Sequence, residues 1–155
     1  MKATHLSPLL AFVLLASCEK TKDAIAETKV KVATAGDVGF AKSTFESLVR
    51  GDTAVASKID WPVFTATGVN HGAAYVALNT QPDRDKFVAQ FITQFSSAFR
   101  ESGASMDNFT NWRVLTHDST RTEVAADSAA TGSTMTITVS VRDGVERVSA
   151  INVSK

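Results

Sequence analysis

Cysteine is nearly absent from this chain. Of its 155 residues only Cys18 carries a thiol, so no disulfide can form within it. Neither sign of charge is in excess: Lys plus Arg and Asp plus Glu count 16 each. With no basic surplus to neutralise phosphates, the chain has no electrostatic footprint for nucleic acid. Histidine is scarce as well, at His5, His71 and His117. No H-x-x-H or H-E-x-x-H spacing occurs, so the residues point to no metal site. Gly-rich phosphate loops and the G-x-S-x-G elbow are missing, and no cofactor is implied. No apolar run reaches the ~20 residues that span a bilayer. What is present is ordinary for one globular domain: 44% hydrophobic and 21% charged residues, without repeats or low-complexity tracts.

The N-terminus reads as an address. Lys2 supplies a short positive region, and a mostly apolar stretch runs from Leu6 to Leu15. That length suits a signal-peptide core. It meets Leu15-Ala16-Ser17-Cys18, which resembles the lipobox of bacterial lipoproteins: an aliphatic residue, two small ones, then Cys. The resemblance implies cleavage before Cys18 and acylation of its thiol and freed amine. Several acyl chains anchor far better than one, at ~0.8 kcal/mol per buried CH₂. Glu19, where Asp would favour inner-membrane retention, points towards the periplasmic face of the outer membrane of a two-membrane cell. Residues 1–17 are therefore expected to be a signal peptide and 18–36 a polar, Ala-rich tether. Residues 37–155 are expected to be the folded domain.

Within that domain Asp37 is expected to cap a first helix, with Val38, Ala41, Phe45, Leu48 and Val49 on one face and Gly51 as its stop. Asp52 is expected to cap a short helix through Ile59 with Ala54 and Val55 inward, ended by Trp61-Pro62. Residues 63–80 are ambiguous, with a helical turn or two over Ala73–Leu78. Pro82 opens the clearest helix, whose stripe is Phe87, Val88, Phe91, Ile92, Phe95 and Phe99, with Gly103 after it. The period then changes from 3.6 to 2. Strands are expected at Trp112–Thr116, Thr122–Ala126, Thr134–Val141 and Val145–Val153. Asp143-Gly144 marks a tight hairpin, and a phase slip at Ser149-Ala150 marks a bulge. The expected fold class is α+β, with N-terminal helices packed on a curved antiparallel sheet of about four strands.

This order resembles the nuclear transport factor two-like superfamily, whose members wrap a curved sheet around helices to make a cone. The resemblance spans residues 37–154. It rests on the helix order, the Phe-rich helix and the final strand Val148-Ser149-Ala150-Ile151-Asn152-Val153-Ser154, an ending shared by many small lipoproteins of this fold. The segment from Gly51-Asp52 to Asp60-Trp61 also looks like such lipoproteins, where it closes the wide end of the cone. A cystatin-like α+β roll is the nearest alternative. The superfamily holds ketosteroid isomerases, polyketide cyclases and dehydratases beside non-enzymatic modules, so fold alone assigns no activity.

Each candidate for chemistry has a plainer reading. His117-Asp118 could form a general-base pair, but neighbours in a strand or turn point apart, so a surface turn is expected. Asp60 could be a buried carboxylate, and a helix-terminal surface Asp is the expectation. Tyr75 could donate to an oxyanion or simply pack. Asn108-Phe109-Thr110 matches a glycosylation sequon of the kind common by chance. Trp61, Phe64, Tyr75 and Trp112 are aromatic candidates for lining a pocket. The expected partners are a membrane, through the lipid anchor, and a second copy or an envelope protein, through the Thr/Ser face of residues 134–140. Three functions follow: a non-enzymatic binding or interaction module first, a small-molecule carrier or sensor second, a cone enzyme of isomerase or cyclase type last.

Overall fold

The structure, a computed structural model, describes residues 35–155. The signal segment, Cys18 and the tether as far as residue 34 lie outside the described residues. Helix α1 occupies 35–50, so Asp37 falls inside the helix and is not its cap. Ala41, Phe45, Leu48 and Val49 are buried on one face, as their spacing requires. Gly51, at φ +77°, ends α1: its amide donates to Leu48 and that of Asp52 to Ser47, a Schellman closure.

Asp52 caps a 3₁₀ segment at Thr53–Lys58 by accepting from the Ala54 amide at 2.9 Å. Val55 and Ile59 are buried but Ala54 is exposed, because the tighter helix turns it outward. A second 3₁₀ turn covers Trp61–Val63. The ambiguous stretch then resolves into two short strands, β1 (Thr65–Ala66) and β2 (Val69–Asn70), and helix α2 (His71–Val76). Asn70 caps α2 by accepting from the Ala73 amide. Helix α3 spans Gln81–Glu101, with Thr80 as its cap and Pro82 one position later than the first helical residue. Among the described residues no helix is long and apolar enough to cross a membrane.

Four long strands follow: β3 (Phe109–His117), β4 (Arg121–Ser128), β5 (Thr134–Arg142) and β6 (Val145–Ser154). With β1 and β2 they form one sheet in the order β2-β1-β6-β5-β4-β3. The sheet therefore has six strands, not four, and it is mixed: β1 runs parallel to β6. Strands of two residues carry too little periodicity to be seen in sequence. Asp143 and Gly144 both have positive φ, the requirement of a type I′ hairpin turn. The bulge is present. Thr138 pairs with Ala150 and Val139 with Val148, leaving Ser149 as the extra residue. That insertion puts Val148 and Ile151 on the same buried face, although they are three apart. One hydrophobic core joins α1, α3 and the inner faces of β4, β5 and β6.

Candidate functional site

Trp61, Phe64, Tyr75 and Trp112 line none of the three concavities described for residues 35–155. Phe64 is fully buried and Trp61 nearly so. Their ring centroids lie 5.5 Å apart, Tyr75 stacks on Trp61 at 6.3 Å, and Phe91 meets both edge-on. The Trp61 indole donates to the Ala56 carbonyl at 2.9 Å, which satisfies its one polar group. Tyr75 is half-buried under the Arg84 guanidinium. His71 packs 4.7 Å from Phe91, and burial among these rings holds its pKa below the usual imidazole value. These three aromatics are thus wall and filling of the core. Trp112 stands apart on β3, its indole donating to the Phe109 carbonyl, with the Lys42 ammonium over the ring.

Asp60 is not on the surface. It is 5% exposed and pairs with Arg142 at 3.3 Å, tying the second 3₁₀ turn to the end of β5. Asp118 does sit in a turn, accepting from the Thr120 amide, the Thr120 hydroxyl and the Arg121 amide. The Thr120 amide bond above all holds its carboxyl below the usual range.

His117 points away from Asp118 and finds a different carboxylate. Thr122 donates its hydroxyl to Asp37 at 2.5 Å, and His117 Nδ1 lies 2.8 Å from the same hydroxyl. Thr122 has one proton, already given to Asp37, so Nδ1 must be the donor. In the neutral ring Nε2 is then left without a proton. Asp37 and Thr122 are buried, so the chain His117–Thr122–Asp37 joins α1 to the β3–β4 hairpin.

The open concavity lies elsewhere, between the end of α3, the start of β3, the β4–β5 turn and the end of β6. Its volume is about 280 Å³. Phe45, Phe95, Phe99 and Phe109 form one side, with Phe45 meeting the other three edge-on at 5.4–6.3 Å. Met135, Ile151 and Val153 form the sheet side. Its polar groups are Thr67, Ser102, Asn108, Ser128, Thr131 and Ser133, and among the described residues no Asp, Glu, Lys, Arg or His lines it. Sequence reasoning placed the phenylalanines of α3 on a core stripe. That is true of Phe91, but Phe95 and Phe99 are only half-buried because the sheet leaves their end uncovered. The serines and threonine of the β4–β5 turn carried no signal at all.

On the outward sheet face a shallow polar groove of about 370 Å³ runs over Thr136, Thr138, Ser140, Ser149 and Asn152. Ser140 and Ser149 share a hydrogen bond of 2.6 Å, and Thr138 is only 4% exposed. No protein-family model, curated protein or solved structure matches this chain.

Proposed function

We propose that this chain is a non-enzymatic binding module, held at the bacterial envelope by acylated Cys18, that takes a small apolar molecule into the cleft beside Phe99. The observation that carries this reading is the cleft's lining: aromatic and aliphatic walls with a few hydroxyls and, among the described residues, no titratable group. An engineered apolar cavity of about 150 Å³ accepts benzene, so about 280 Å³ suits a ligand larger than one ring. Helices followed by a bulged sheet, joined over one core, support a nuclear transport factor two-like domain as the scaffold. The enzyme reading has less behind it, since Asp37, His117 and Asp60 all lie outside the cleft lining. The hydroxyl-rich outward groove supports a second reading, a docking face for a protein partner.

Titration of the full chain with a neutral apolar fluorophore tests the first reading. Saturable binding is expected, and Ala104→Trp, which fills the cleft from its half-buried rim, should abolish it. Equal binding by wild type and Ala104→Trp would sink the assignment.

A further inference from the structure

The hydroxyls on the cleft wall fix what kind of head group a ligand must carry. Thr131 donates its hydroxyl to Ser128 Oγ at 3.0 Å. Thr131 and Ser133 are 2.5 Å apart, and with the only Thr131 proton already given away, Ser133 is the donor there. The Ser133 amide also approaches Thr131 Oγ1, at 3.4 Å. Protons therefore run in one direction, from Ser133 to Thr131 to Ser128. The chain ends on the Ser128 O–H, which has no acceptor among the described residues although Ser128 is only 8% exposed. Ser128 Oγ has Thr131 as its donor, and its own proton is the one left to give to an acceptor in the cleft that Ser128 lines.

Asn108 adds a second donor of the same kind. Its Oδ1 accepts from the Ser105 amide at 2.7 Å in a capping box, which fixes the side-chain orientation and leaves Nδ2 as a donor. The Asn108 carbonyl accepts from the Ala129 amide at 2.8 Å, so the segment bearing Asn108 is fastened to the turn bearing Thr131. Ser128 and Asn108 both line the cleft beside the phenylalanine rings, and among the described residues no cation or anion does.

Resting on the cleft reading above, we infer that the ligand is a neutral apolar molecule with a carbonyl-type acceptor oxygen, a ketone, ester or amide, seated on the Ser128 hydroxyl and the Asn108 amide. A carboxylate would lose its hydration without meeting a cation, and a hydrocarbon would leave both donors unpaired.

The test compares 2-nonanone, nonane and nonanoate as ligands of the full chain by competition in ligand-observed NMR. In the wild type 2-nonanone should bind about fivefold more tightly than nonane, with nonanoate weakest. Ser128→Ala should remove the ketone's advantage while leaving nonane unchanged, and Ser128→Thr should restore it. The wild-type ranking stands by itself should Ser128→Ala fail to fold. Nonanoate binding as well as the ketone, or ketone and alkane binding equally, would overturn the head-group assignment and leave the cleft standing. Binding of none of the three would overturn both.

Discussion

Asp37 shows how one residue changes role between sequence and structure. Asp after Gly reads as a helix entrance, yet the carboxylate lies within α1 and accepts from Thr122. Nothing local in the sequence encodes that bond, because its two residues are 85 positions apart. Asp37→Ala would leave the buried Thr122 hydroxyl without its acceptor and should cost about 1–3 kcal/mol, read by urea unfolding. Thr122→Val, which leaves the buried Asp37 carboxylate without its donor and His117 Nδ1 without its acceptor, should cost more than Asp37→Ala; a smaller loss would contradict the proton order assigned to the chain. Gly72 is the second case. A Cβ there would meet the Pro62 carbonyl oxygen at 2.5 Å, backbone that cannot step aside. Gly72→Ala, a change that stabilises an unobstructed helix, should destabilise here and loosen the Trp61–Tyr75 stack, visible in near-UV circular dichroism. His71 gives a pH test. Its folded pKa is lowered by burial, so the folded state binds fewer protons than the unfolded chain below the ordinary value of about 6.5. Its contribution is complete above that value and is lost as pH falls towards the lowered one. His71→Gln should flatten the dependence of melting temperature on pH between about 5 and 7, and an unchanged slope would remove His71 as its source.

Among the elements, period and punctuation decided what could be read. The stripes of α1 and α3, the alternation of β5, the Asp143-Gly144 turn and the Ser149 bulge are all local patterns. Each appears in the structure at or near its expected place. The two-residue strands β1 and β2 were illegible because pairing with β6 comes from the far end of the chain. The same limit hid the cleft. Helical spacing says that Phe95 and Phe99 share a face with Phe91, but not that the sheet stops short of covering them. The bulge is the element-scale prediction. Deleting Ser149 would leave Val148, Ala150 and Ile151 opposite Val139, Thr138 and Ile137 in an unbroken ladder, so Ile151 should keep the inner face where it is now 3% exposed. The loss should stay below the about 1.5–3 kcal/mol that exposing Ile151 would cost, and a melting temperature lowered by several degrees would contradict this register.

At the scale of the whole molecule, filling and opening divide the domain. The Trp61–Phe64–Phe91 end is packed solid, and the Phe45–Phe99–Phe109 end stays open. Trp61, Phe64 and Tyr75, which looked most like pocket residues, went to the solid end, since large aromatics gain most from burial, while Trp112 stands apart on β3. If Cys18 is acylated as proposed, Cys18→Ala should leave the fold intact and release the protein from the membrane fraction, and retention there would remove the anchor from the account. The most direct test of the central claim is a native mass spectrum of the full chain released from the envelope without denaturation. The account predicts a small neutral adduct on the wild type and none on Ala104→Trp. An adduct that survives with the cleft filled, or a wild type that carries and accepts no apolar molecule, would contradict it.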